Sequence, residues 1–215
     1  MLFRSSSANQ RPADTSYPYY LGRNYPISRG MRINKRLQEM KDITVGDMMA
    51  LQTDDYNIFA EWAMPVILKY VNPGRLRQEE LSYLDELKSW DFRYGAASVA
   101  ATVFETFWSN LMDAVYDDEY AKAPEPIAKP NPISLLDAIK RDSAYKFIDN
   151  NITVSVETLE DVMVMAFRES ARELDDLESE NRLSWNAFRN THINHLLRLP
   201  AFSRHDVVAG GGAST

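Results

Sequence analysis

Three histidines are the residues of this sequence whose type most directly suggests metal binding. His192 and His195 form an H-x-x-H pair, and His205 follows. On a helix, residues three apart share a face, so such a pair has the geometry for two zinc ligands. No carboxylate stands at the offset that a zinc-hydrolase motif requires. We therefore predict that the histidines are packed or hydrogen-bonded structural residues, and we predict no metal site.

Acidic pairs are the other candidates for a cation site. Asp54 with Asp55, and the run DDE at 117–119, lack the alternating spacing of a calcium loop, so we interpret both as surface charge. Phosphate-binding glycine loops, the G-x-S-x-G elbow and H-E-x-x-H are absent. With no cysteine in the chain, a thiolate nucleophile and disulfides are excluded. These short motifs alone indicate no catalytic centre.

The stretch richest in reactive side chains is residues 7–37. Prolines at 12, 18 and 26 favour an extended path, and helical spacing begins only near Gly30. By itself, an asparagine after serines is usually a turn former, and an arginine beside a helix start usually lies on the surface. The candidates in this stretch are Asn9, Arg11, Arg23, Arg29 and Arg32.

Helical periodicity dominates the rest of the chain and predicts about seven helices. A Thr or Ser followed three residues later by Asp predicts helix starts at Thr44, Ser134 and Thr158. The apolar helix after Ser98 is predicted to be the buried centre. Pro65 predicts a kink or a broken turn in its helix, and the acidic and proline-rich residues 117–132 predict a loop.

Composition limits the possible partners. The 215 residues are 45% hydrophobic and carry a formal net charge of -7. Without a basic surplus to neutralise phosphates, general nucleic-acid binding is disfavoured. No apolar run reaches about 18 residues, so we predict no membrane span.

A set of short segments follows one order along nearly the whole chain. They are SANQRP (7–12), YP (17–18), SRGMRI (28–33), LQTD (51–54), LKSWD (87–91), FETFW (104–108), HLL (195–197) and GG (210–211). In order and spacing, this set resembles the penicillin acylase family, amide hydrolases of the N-terminal nucleophile class. The resemblance implies a mainly α chain, the helical region of the large chain of such an enzyme, with short strand stubs of the αββα core at both ends. Residues 1–30 would be an extended segment of the core sheet and active site, residues 31–200 a helical domain, and residues 201–215 a truncated return to the sheet.

The resemblance also implies a chemistry. In this family a precursor cleaves itself, and the large chain then begins with a serine whose own α-amine acts as the base. An acyl-enzyme forms, and the tetrahedral oxyanion needs donors that are placed in advance. Asn9 matches the asparagine that donates to the oxyanion, and Arg29 matches the arginine that organises the nucleophile and this asparagine. Arg32 is a second candidate for that arginine.

The chain also departs from the family pattern. It begins Met1-Leu2, and the serines at 5–7 are internal. We therefore expect the nucleophile, the small chain that supplies the substrate pocket, and the remainder of the large chain to lie elsewhere, so that this chain alone is inert. The family often binds calcium, but the expected aspartate after Tyr17-Pro18 is replaced by Tyr19, so we expect no cofactor here. The resemblance implies a small-molecule amide substrate and a periplasmic or secreted location.

A different class of function stays open at this point. The chain could be a non-catalytic, soluble helical interaction module, in which Asn9 and Arg29 are ordinary loop and surface residues. A cleavage junction upstream and a strand-rich region downstream in the gene would favour the enzyme.

Overall fold

The computed structural model describes residues 28–125 and 127–212 and is built from helices. Over these residues no strand forms, and only two isolated bridges occur, Tyr56 with Arg93 and Ile193 with Arg204. The predicted mainly α class is confirmed. None of the described helices is both long and apolar enough to span a membrane. The helices are α1 (Ser28–Glu39), α2 (Val45–Gln52), α3 (Ile58–Tyr70), α4 (Gln78–Ser89), α5 (Val99–Tyr120), α6 (Pro132–Arg141), α7 (Leu159–Ser179) and α8 (Trp185–Arg189), with 3₁₀ turns at Pro73–Arg75 and Pro200–Phe202.

The core is organised around α5, as its all-round apolar sequence predicts. This helix packs most extensively against α7, where the rings of Phe107 and Phe167 lie 5.6 Å apart, and it also contacts α4, α6 and α8. Phe104, Phe107 and Leu111 are almost completely buried. Burial of each such side chain stabilises the fold by about 1.5–3 kcal/mol, so α5 contributes strongly to holding the helices packed on it.

Two of the three predicted helix starts are confirmed, and one is wrong. Thr44 and Thr158 each form a complete capping box with the aspartate three residues later. The third helix, α6, begins at Pro132 instead of Ser134, because the Asn131 side chain accepts a hydrogen bond from the Ile133 N–H. Proline suits the first helical position since it has no N–H to satisfy.

Other boundaries differ from the sequence prediction. Helix α3 runs unbroken through Pro65, since buried residues on both sides, including Ala63 and Ile67, hold it against the core. Helix α5 extends to Tyr120, so the loop begins later than residue 117. The strand stub expected at the C-terminal end is absent over 206–212, where backbone N–H groups donate to Thr191 O, to the Asn186 side chain of α8 and to Tyr94 O instead. The N-terminal stub falls outside the described residues.

Helices α1 and α2 lie at the edge of this core. In α1 the buried residues are Ser28, Gly30 and Leu37, and α2 has none. Two of the apolar side chains of α2, Val45 and Met49, are 79% and 64% exposed. These two helices therefore form a wall with little apolar anchoring.

Candidate functional site

An open cleft of about 1160 Å³ lies beside α1 and α2. One side is formed by the α1 and α2 wall, including Val45, Met48 and Met49. The opposite side is formed by Gly95 and Ala96, by Arg189 of α8 and by residues 210–212. Asp54 and Asp55, in the turn after α2, also line it. The cleft thus brings together residues from both ends of the described chain.

Two arginines of α1 line the cleft, but their surroundings differ. Arg29 and Arg32 are one turn apart and share a helix face. The Arg32 Nε–H donates to Asp54 Oδ2 at 2.7 Å, and its guanidinium lies 4.1 Å from the centre of the Tyr56 ring. Arg29 is exposed and has no hydrogen bond or ion pair with any residue that the structure describes. Of the two candidates, Arg29 is the one whose guanidinium is available to a ligand or a further segment.

Asp54 is the centre of an ion-pair cluster behind the cleft. Besides Arg32, its carboxylate accepts a hydrogen bond from Arg93 at 3.1 Å, and Arg93 also donates to Asp55 at 2.8 Å. The Asp54 side chain is only 8% exposed. Its burial alone would raise the pKa of this carboxyl, but the hydrogen bonds and positive charges of Arg32 and Arg93 outweigh burial and lower it.

The interpretation of Asp54 and Asp55 as surface charge is therefore wrong. Their partners are distant in sequence, 22 residues away for Arg32 and 39 for the pair of Asp54 with Arg93, so no local pattern indicates the pairing. The one available signal is that Asp54 closes the LQTD segment of the family resemblance.

Tyr94 supports the opposite side of the cleft. Its N–H donates to Asp55 O at 3.0 Å, and its carbonyl accepts from the Gly211 N–H at 2.8 Å. Its hydroxyl accepts from Asn57 Nδ2 at 2.9 Å and donates to Glu105 at 2.7 Å. Burial raises the pKa of the Glu105 carboxyl, and burial together with the neighbouring Glu105 charge raises the pKa of Tyr94 well above its usual range. The sequence does not predict this partly buried pair, because a single glutamate in an apolar helix usually lies on the solvent-facing side.

The glycine run at 210–212 packs closely against Tyr94. A Cβ atom on Gly210 would lie 2.7 Å from the Tyr94 carbonyl oxygen, and one on Gly212 would lie 3.1 Å from the Tyr94 ring. Gly211 has a φ of 77°, a conformation that favours glycine, and its carbonyl accepts from Trp185 Nε1 at 2.9 Å. These contacts explain why small residues occupy this side of the cleft.

The histidines lie apart from the cleft and outside the helices. His192 and His205 have their Nδ1 atoms 3.3 Å apart, and the His195 ring lies 5.4 Å from the Phe202 ring. These are contacts of hydrogen-bonded and packed side chains. In the part of the chain that the structure describes, no group of three or more His, Cys, Asp or Glu residues could hold a metal ion.

Asn9 lies outside the described residues, as do Arg11, Arg23 and the Tyr17-Pro18 pair. The pairing of Asn9 with Arg29 therefore stays a prediction, as does the absence of calcium.

Arg29 lines an open cleft of a mainly helical chain and has no partner among the residues that the structure describes, and the comparison with known families gives this scaffold a class. The sequence matches the family described as Penicillin amidase over residues 5–215. Because this match covers nearly the whole chain, the chain belongs to the penicillin amidase family. A comparison with curated proteins found no match. The predicted family is confirmed, and family membership supports an amide hydrolase as the protein to which these residues contribute.

Proposed function

We propose that this chain is the helical part of the large chain of an amide hydrolase and that Arg29 is its contribution from α1 to the active site. The observation that carries this proposal is the guanidinium of Arg29 in the cleft, without a partner among the described residues. Arg32, the second candidate, is committed to Asp54 and to the Tyr56 ring. This difference favours Arg29 as the arginine that orients the nucleophile and the asparagine.

The chemistry of the proposed site is acyl transfer. A serine with a free α-amine attacks the amide carbonyl, and the negative charge that forms on the carbonyl oxygen needs donors already in place. In our proposal the amide N–H of Asn9 is one donor, and the Arg29 guanidinium hydrogen-bonds to the asparagine and the nucleophile and fixes their orientation. A hydrogen bond to a charged group contributes about 1.5–3 kcal/mol, which corresponds to about 10–150-fold in rate.

The remaining parts of the proposal follow from family membership and from the departures of this chain from the family pattern. The nucleophile is an N-terminal serine produced by self-cleavage of a precursor, and the small chain completes the substrate pocket. The substrate is a small N-acyl amide, the location is periplasmic or secreted, and this chain needs no calcium of its own. The chain on its own is inert.

The test uses the enzyme expressed from the full reading frame that encodes this chain. Phenylacetyl and long-acyl chromogenic amides are assayed with the unaltered protein, with Arg29→Ala and with Arg172→Ala. Arg172 is the matched control, because it is an exposed arginine on α7 that pairs with Glu169 and does not line the cleft. We expect hydrolysis by the unaltered enzyme, a kcat at least about tenfold lower for Arg29→Ala, and no change for Arg172→Ala.

Two outcomes would contradict the proposal. A folded full-length protein that hydrolyses no amide of the panel would favour the non-catalytic interaction module. Hydrolysis of an amide by the 215-residue chain alone, if Asn9→Ala abolished it, would refute the proposal that the chain is inert by itself.

A further inference from the structure

We propose that Asp54 is a positioning residue for the active site: it holds Arg32, and through Arg32 the first turns of α1, so that Arg29 faces the cleft. This inference rests on the proposed function. It assigns Asp54 no contact with the substrate, because the Asp54 side chain is 8% exposed and is occupied by Arg32 and Arg93, with Arg36 of α1 a third, more distant partner at 3.9 Å.

The need for such a residue follows from the weak packing of α1. Leu37, in the last turns of the helix, is the only apolar side chain of α1 that is buried, with 7% exposure. Ser28 and Gly30, the other buried residues, have little apolar surface to contribute. The direction of the first turns, which carry Arg29, is therefore fixed by polar contacts more than by apolar packing.

The Arg32 pair has the geometry to supply this constraint. Its N···O distance is 2.7 Å, and the two side chains are 11% and 8% exposed, so water competes poorly for either charge. The stacking of the guanidinium on Tyr56 at 4.1 Å fixes the plane of the group as well as its position. Because Arg29 stands one turn before Arg32 on the same face, a rotation of α1 that broke this pair would also move Arg29 away from the cleft.

Asp54 also connects α1 to the opposite side of the cleft. Its second oxygen accepts from Arg93, and the residue after Arg93 is Tyr94, whose carbonyl holds Gly211. The Asp54 carboxylate thus connects the helix that carries Arg29 to the side of the cleft formed by the glycine run. This carboxylate is therefore one of the contacts between the two sides, together with the hydrogen bond from the Tyr94 N–H to Asp55 O.

A purely structural role for Asp54 is the competing explanation, and Glu80 provides the matched control. The Glu80 side chain is 1% exposed and pairs with Arg77 at 2.8 Å and Arg168 at 3.8 Å, so it is also a buried carboxylate between two arginines. It does not line the cleft. Loss of either carboxylate destabilises the fold, but only loss of Asp54 should act through Arg29.

The experiment is a double-mutant cycle in the full-length enzyme. The kcat, the KM and the urea midpoint are measured for Asp54→Asn, for Arg29→Ala and for the double variant. We expect Asp54→Asn to lower kcat about tenfold with little change in KM, and to lower it less than twofold when Arg29 is already alanine. Glu80→Gln should lower the urea midpoint, leave kcat unchanged and show no dependence on Arg29.

Conservative variants keep the test decisive if Asp54→Asn does not fold. Arg32→Lys retains the positive charge but loses the planar Nε geometry, and it should lower kcat with the same dependence on Arg29. Asp54→Glu should recover part of the activity. An active enzyme in which the Asp54 and Arg32 effects persist unchanged in the Arg29→Ala background would overturn this inference and leave the proposed function standing. A folded enzyme without amide hydrolysis would overturn both.

Discussion

Replacement of Gly210 by alanine tests whether the glycine run is packed as the structure shows. The added Cβ would lie 2.7 Å from the backbone oxygen of Tyr94, and a backbone atom cannot move aside as a flexible side chain can. Overpacking of this kind costs about 1–3 kcal/mol. For a chain of this size we expect a melting temperature lowered by about 2–12 °C. Thermal unfolding is followed by circular dichroism and by the fluorescence of Trp185, whose ring lies 4.8 Å from the Tyr94 ring.

Gly46→Ala is the matched control and should have the opposite sign. Gly46 lies in the first turn of α2, and an added Cβ would lie 3.6 Å from Thr44 Oγ1, an ordinary contact. Alanine leaves the unfolded chain fewer conformations than glycine does. This variant should therefore raise the free energy of unfolding by about 0.4–1 kcal/mol. If Gly210→Ala is as stable as the unaltered protein, or more stable, residues 210–212 do not pack against Tyr94. The position described for that side of the cleft would then be wrong.

Three further predictions concern stability. Asn57→Ala should cost about 2–4 kcal/mol in urea unfolding, because the buried Asn57 side chain caps α3 and donates to Tyr94; a loss below 1 kcal/mol would contradict this network. Glu105→Gln should raise the free energy of unfolding at pH 8 and leave it unchanged at pH 4: burial raises the folded pKa of this carboxyl, so its contribution is present below the unfolded pKa and is lost as pH rises. No gain at pH 8 would mean that Glu105 is well solvated. Asp161→Asn should destabilise at pH 7, with the difference shrinking toward pH 2, because hydrogen bonds from Thr158 lower the Asp161 pKa to about 2; a difference independent of pH would contradict this assignment.

Features that depend on neighbouring residues were predictable from the sequence. The capping boxes at Thr44 and Thr158 involve partners three residues apart, so both helix starts are confirmed. The position of α6 was predicted too late, because Ser134 and its aspartate fit the same pattern while the Asn131-Pro132 pair actually begins the helix. Two valid start signals within four residues cannot be ranked without the packing.

Features that depend on distant contacts were not predictable. The ion pair of Asp54 with Arg32 joins residues on different elements, and a pair of adjacent aspartates after a helix is otherwise typical of the surface. The packing of Gly211 against Tyr94 likewise joins residues that are far apart in the sequence. Arg29 was assigned a role only through the family resemblance. The structure adds that Arg29 lines a cleft, whereas the Arg32 guanidinium is paired with Asp54.

The most direct test of the central claim is an experimental structure of the full-length enzyme with an amide analogue bound. We predict that the Arg29 guanidinium lies within hydrogen-bond distance, about 2.7–3.2 Å, of the Asn9 side chain or of the nucleophile, while Arg32 remains paired with Asp54. An Arg29 side chain directed to solvent, with Asn9 and the nucleophile held by other residues, would contradict the account.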